Sequence, residues 1–218
     1  MNAATITMDG LTTPENPARF ARVARTRTVE VVSDDEDAQL MLAYARGEMR
    51  AFETLYARHR GALYRYLVRQ ARDGEVANDL FQEVWSRIIV NRARYEPRAK
   101  FRTFLFTLAH NCFIDHCRRA KSRPQGLKVE DADAADLLPA DAEELPDVQL
   151  ARDEGTRRYR AALAALPAEQ RDVYLLHEES DLSLEEIARV TGVGAETAKS
   201  RLRYAVGKLK AALAVAET

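Results

Sequence analysis

Apolar and polar positions repeat with a helical period from about residue 35 to 122 and again from about 147. Asp34-Asp35-Glu36-Asp37 suits a helix start, where carboxylates complement the helix dipole, and Gly47 ends that first helix near Arg46. Met49, Phe52, Leu55, Tyr56, His59, Leu63 and Leu67 then share one face of a second helix, which Asp73-Gly74 breaks. A third is expected from about Glu75 to Arg92. It buries Ala77, Leu80, Phe81, Val84, Trp85 and Ile88 and carries Asp79, Gln82, Glu83 and Ser86 on a polar edge. Pro97 biases Glu96 away from helix, so residues 94 to 100 read as a loop. A fourth helix, Phe101 to about Ala120, places Phe101, Phe104, Leu105, Leu108 and Cys112 on a buried stripe. Thr103, Asn111, Asp115, Arg118 and Arg119 fall on the other side.

Four helices with short connections make one helical domain over residues 35–122. Residues 1–34 lack periodicity and read as a disordered extension. Residues 123–149, rich in Asp, Ala, Pro and Glu, read as a flexible acidic linker. Helices resume from about Asp147. Leu163, Leu166, Val173 and Leu176 belong to a second, smaller domain over 150–218, with a helix junction at Leu166-Pro167 because proline is tolerated at a helix start. The expected fold is all-α: two small helical domains joined by a flexible acidic linker.

The second domain ends in LSLEEIARVTGVGAETAKSRLRYAVGKLKAAL. Ser183 with Glu186 three residues on forms a capping box, and Gly192 permits the left-handed backbone that ends a short helix. A longer helix follows with Lys199, Arg201, Arg203, Lys208 and Lys210 along it. Short helix, glycine turn and basic helix is the helix-turn-helix layout, whose second helix enters a major groove. An ordinary helical hairpin is the plainer reading of the same stretch.

Composition changes the picture only when it is mapped. A net charge of −1 over 218 residues hides a segregation. From Ser86 to Arg123 ten Lys/Arg face Glu96 and Asp115, a balance of about +8; from Pro124 to Glu154 two basic residues face ten acidic ones, about −8. The basic stretch FRTFLFTLAHNCFIDHCRRAKSR interleaves arginines, aromatics and amides, a makeup that suits single-stranded nucleic acid. On spacing, its phenylalanines belong to the core and Arg118, Arg119, Lys121 and Arg123 are the better DNA candidates. His110, Cys112, His116 and Cys117 offer a metal reading, but Cys117 points away from the Cys112/His116 pair and structural zinc takes four ligands; no metal or cofactor is expected. GxxxxGK[ST], GxSxG and HExxH are all missing, which argues against an enzyme. Two cysteines in one helix and no apolar run of about 20 residues fit a cytoplasmic protein without a membrane segment.

DLFQEVW and FRTFLFTLAHNCFIDHCRR in the first domain, followed in order by LSLEEIARVTGVGAETAKSRL in the second, resemble a bacterial sigma factor of the sigma-70 family, extracytoplasmic-function (ECF) class. The resemblance implies a transcription initiation factor that binds core RNA polymerase and directs it to promoters. It carries core binding onto Asp79, Gln82 and Glu83. It carries opening of the −10 element, with capture of a flipped base, onto Lys100, Arg102, Asn111, Asp115, Arg118 and Arg119. It carries duplex recognition at −35 onto Thr197, Lys199, Ser200 and Arg203, with Arg201 on phosphate. An anti-sigma partner is implied by the family alone. Tyr204, Ala198 and Gly207 depart from the family pattern. The rival reading is a conventional helix-turn-helix regulator that binds duplex DNA without serving as a polymerase subunit.

Overall fold

The computed structural model describes residues 35–122 and 146–214, all helix or short connection, with no strand among the described residues. The extension expected over 1–34, and the linker from 123 to 145, lie outside them. Residues 146–149, expected to belong to the linker, are already helical.

Helix α1 spans Glu36–Ala45 and buries Ala38, Met41 and Tyr44. Its cap is Asp35, whose Oδ1 accepts from the Asp37 amide at 3.2 Å. Helix α2, Met49–Ala71, is the longest among the described residues and runs through the middle of the molecule. The chain leaves it at Arg72, a non-glycine residue at φ 58°. Asp73 then caps α3 (Gly74–Val90), accepting from Glu75 and Val76 amides at 2.8 and 3.0 Å. The third helix stops two residues earlier than its pattern predicts. Asn91 Nδ2 donates to the Arg87 carbonyl at 2.9 Å and Arg92 to that of Ile89 at 3.0 Å. These side chains satisfy the last carbonyls and turn the chain into a 3₁₀ segment, Arg92–Arg94.

Helix α4 spans Phe101–Ser122. Asp35 reappears here: its Oδ2 accepts from the Phe101 amide at 2.6 Å, so one carboxylate caps two helices. The stripe expected on α4 is too narrow. Thr103, Phe106 and Ala109 are buried as well, while Phe104 is half-buried against Tyr95. The reason is that α4 is covered on two sides, by α2 and α3 and by the C-terminal domain; a helix apolar on most of its circumference is an interior one.

The C-terminal domain comprises α5 (Pro146–Ala164), α6 (Ala168–Ser180), α7 (Leu184–Thr191) and α8 (Ala195–Ala214). Pro167 stands just ahead of α6, where its missing N–H costs nothing. The Ser183–Glu186 capping box is formed in both directions, and Gly192 takes φ 69° at the end of α7. Leu163, Leu166, Val173, Leu176, Ile187, Val190, Ala198, Ala205 and Leu209 pack between these helices. The two domains are not separate: α6 packs on α2, and α7 on α4. No helix among the described residues is long and apolar enough to cross a membrane.

Candidate nucleic-acid interface

Three surfaces carry the residues singled out by sequence. On α8 the buried positions Ala198, Ala205 and Leu209 fix which side faces the domain. With 3.6 residues per turn, Thr197, Lys199, Ser200 and Arg203 fall on the opposite arc; Thr197, Lys199 and Arg203 are exposed and Ser200 half-buried. Tyr204, 54% exposed, lies on the same arc, and the Arg203 guanidinium sits 5.2 Å from its ring centroid. Lys199 lies 3.9 Å from Glu196, an exposed pair that water screens. Arg201 differs: it is half-buried on the flank and pairs with Glu169 at the start of α6. This arc is a cationic helix face with hydroxyls and an aromatic, presented by a rigid capped turn.

The second surface is the start of α4 and the loop before it. Tyr95 packs against Phe101 and Phe104, and burial pushes its phenol up, with Asp35 and Asp37 adding to the effect. The residues assigned to strand opening divide into two groups about 14 Å apart along the helix, at 1.5 Å per residue. Lys100 and Arg102 sit at a cleft shared with the C-terminal domain, lined also by Asp35, Asp37, Asp181 and Glu186. Arg102 Nη1 lies 2.8 Å from Asp181, and Lys100 Nζ 3.3 Å from Glu186. Asn111, Arg118 and Arg119 are exposed farther along, and Asp115 is half-buried with Arg118 at 3.7 Å.

The third surface is the polar edge of α3. Asp79 and Gln82 are exposed. Glu83 pairs with Arg87 one turn on and lies 3.7 Å from Arg119 of α4. Residues given two different roles by sequence therefore meet across the α3–α4 seam. Beneath this edge an aromatic line runs inward, Tyr64 to Phe81 to Trp85 to Phe52, with centroids 5.6, 6.3 and 5.8 Å apart. It holds α3 on α2.

The His/Cys cluster separates. Cys112 is buried, and burial pushes its thiol up to about 12, so it behaves as a core residue. His110 faces Asp172 of α6, Nδ1 to Oδ2 3.0 Å, without hydrogen-bond alignment. Among the described residues no group of three His, Cys, Asp or Glu is arranged to hold a metal.

Comparison with known proteins decides the family. The model of sigma-70 region 2 matches residues 55–123 and that of sigma-70 region 4 matches residues 156–209. The RNA polymerase sigma factor CarQ of Myxococcus xanthus is 31% identical over 171 residues, covering 78% of this chain and 93% of that protein. The chain belongs to the sigma-70 family. The ECF sigma factors EcfG of Rhodopseudomonas palustris (30% identical, 71% of this chain and 80% of that protein) and SigM of Mycobacterium tuberculosis (29%, 79% and 82%) place it in the ECF class. The fold matches CnrH, solved with the cytosolic domain of CnrY, at a TM-score of 0.59 and 24% identity over 83% of this chain and 99% of that one. It also matches RpoE of Bartonella quintana, solved with the anti-sigma factor NepR, at 0.60 and 24% over 75% and 97%. This sigma factor is a transcription initiation factor that directs RNA polymerase to promoters, and the conventional-regulator reading is not favoured.

Sequence reasoning missed the acidic side of the sigma factor's central seam. Asp172, Glu179 and Asp181 carried no motif. Glu186 was read only as a capping residue, yet its carboxylate also accepts from Thr103 Oγ1 at 3.3 Å. Burial alone would raise this carboxyl; the Ser183 amide and the Lys100 ammonium more than offset that and hold it below the usual carboxylate range.

Proposed function

We propose that this sigma factor grips a promoter at two points and the polymerase at a third. Thr197, Lys199, Ser200 and Arg203 read the −35 duplex from the major groove, with Arg201 on a flanking phosphate. Lys100, Arg102, Asn111, Asp115, Arg118 and Arg119 engage the −10 element as it opens, where the few kcal/mol of unpairing are offset by stacking and charge-assisted bonds. Asp79, Gln82 and Glu83 bind the polymerase core. The acidic stretch between the two domains, carrying like charge with DNA, passes through the polymerase between the two grips. The factor is not an enzyme, works in the bacterial cytoplasm, and is held in check by an anti-sigma protein, as the partners of CnrH and RpoE in their solved complexes suggest.

The observation that carries this reading is the arc of α8, where Thr197, Lys199, Ser200 and Arg203 lie opposite the buried Ala198, Ala205 and Leu209. The test is run-off transcription with purified core polymerase on genomic templates. Promoter-dependent transcripts are expected with the wild type and are expected to be lost with Lys199→Ala/Arg203→Ala. Equal transcription by that variant would sink the −35 assignment. Asp79→Ala/Gln82→Ala should weaken core binding with helicity retained.

A further inference from the structure

Of the large apolar side chains exposed among the described residues, Met49, Ile89 and Val90 belong to α2 and α3, and Leu213 stands at the far end of α8. Tyr204 alone stands among the residues of the basic α8 arc. A single exposed aromatic is ordinary on a protein surface, but three features set this ring apart. Ser200 lies one turn before it and Thr197 two turns before, about 6 and 10.5 Å along the axis. A helical side chain leans back over the preceding turn, which puts the ring on the side of those two hydroxyls. Its contact is with a cation and not with the core: the Arg203 guanidinium sits over the ring, 5.2 Å from the centroid, while Ala205 and Leu209 supply the buried face. On the following turn Gly207 has no side chain to cover it, and the space where a Cβ would lie is open.

The chemistry of the ring narrows what it can read. In the major groove thymine alone projects a methyl group, whereas cytosine presents an amino donor and guanine two acceptors. A phenol has no pair of donors to fit guanine, and its broad surface is apolar, so a methyl group is the base feature it suits. Arg203 covers one face of the ring and is steadied by it. The methyl contact therefore falls to the opposite face or the edge.

We propose that Tyr204 is a specificity-determining residue of this sigma factor. Its ring packs against the 5-methyl group of one thymine in the −35 duplex, next to the bases met by Ser200 and Arg203, and so favours T·A over C·G there. The proposal rests on the −35 reading of α8 made above and adds to it the identity of one base. Tyr204 is at the C-terminal end of the assigned readers, so this thymine lies at one end of the contacted run. Loss of a single methyl contact is expected to weaken binding about fourfold, the worth of one buried methyl-sized group.

The test uses the full chain assembled with core polymerase, offered promoter duplexes randomised across the −35 element. The wild type is expected to enrich thymine at one position. Tyr204→Ala is expected to lose that preference and keep the others, and Tyr204→Phe, which retains the ring, to keep it. Deoxyuridine in place of that thymidine removes the methyl alone; it should lower wild-type affinity about fourfold and leave Tyr204→Ala unaffected. Identical selected sequences for the wild type and Tyr204→Ala overturn the proposal, as does uracil bound as well as thymine. Uniformly weaker binding by Tyr204→Phe, with uracil and thymine equal, makes the phenol a phosphate contact and overturns it too. A wild type without any −35 preference removes the −35 reading and this proposal together. Preferences that depend on Lys199 and Arg203 but not on Tyr204 remove this proposal alone.

Discussion

Asp35 offers the sharpest test of how the fold positions the −10 surface. Its two carboxylate oxygens serve two helix starts 65 residues apart, Glu36 and Phe101, through the Asp37 amide at 3.2 Å and the Phe101 amide at 2.6 Å. Lys100 and Arg102 flank Phe101, so this carboxylate pins the very turn that presents them. Replacing a capping Asp by Ala costs about 1 kcal/mol per cap. Asp35→Ala, which leaves two amides without their acceptor, should therefore cost about 2 kcal/mol, or roughly 4–8 °C in Tm for a chain of this length. Asp35→Asn has one oxygen and one NH2 group, and an NH2 group cannot accept. It should lose about half as much, roughly 1 kcal/mol. The assay is urea unfolding followed by fluorescence of Trp85, the sole tryptophan, which sits in the region 2 core beside Phe52 and Tyr56. Hydrogen exchange at the Phe101 amide, protected in the wild type and exposed in Asp35→Ala, locates the loss. A cost under about 0.5 kcal/mol for Asp35→Ala, or an Asn variant equal to the wild type, would refute the double cap.

Three further outcomes follow from the same coordinates. Burial holds the His59 pKa below its ordinary value despite Asp37 at 2.7 Å, and Asp37 itself is held low because bonds from Arg58 and His59 outweigh its own burial. A depressed histidine makes the unfolded chain the better proton acceptor, so stability should fall as pH drops below about 6.5 and fall again below about 3.9 as Asp37 is protonated; His59→Gln should flatten the first step in urea midpoints measured across pH. Gly207 is helical, exposed, and has open space where a Cβ would lie, so Gly207→Ala should stabilise by about 0.5–1 kcal/mol and raise Tm without altering −35 binding. Arg203→Ala should weaken duplex binding and lower the slope of log affinity against log salt by about 1 if the side chain meets a phosphate; an unchanged slope with altered sequence preference would make it a base reader instead.

Much of this molecule is local and was therefore legible. Helix starts at Asp35, Asp73 and Ser183, the breaks at Gly47 and Gly192, and the buried faces of α2 and α3 depend on residues within a few positions of one another; Met49, expected on the α2 face, is instead 60% exposed because it is the first residue of the helix and nothing covers it there. The capping box at Ser183 and Glu186 formed as its spacing requires. The residues of the α8 arc came from the family resemblance, and from charge alone only the basic character of this helix was legible. The family followed from the order of its motifs, and the comparisons bear it out.

What periodicity does not encode is which helix covers which, because a stripe records that a face is buried and not by what. Thr103 was placed on the polar side of α4, yet it is buried against Glu186, since the C-terminal domain covers that side. The second oxygen of Asp35, the reach of Arg119 to Glu83, and the pairing of Arg65 and Arg69 with Glu179 join residues 36 to 114 positions apart. Sequence alone determined the helices, their caps, the charged faces and the family. Tertiary structure decided that the basic start of α4 and the acidic edge of region 4 face each other, because such contacts arise only when separately specified faces are brought together by a shared core.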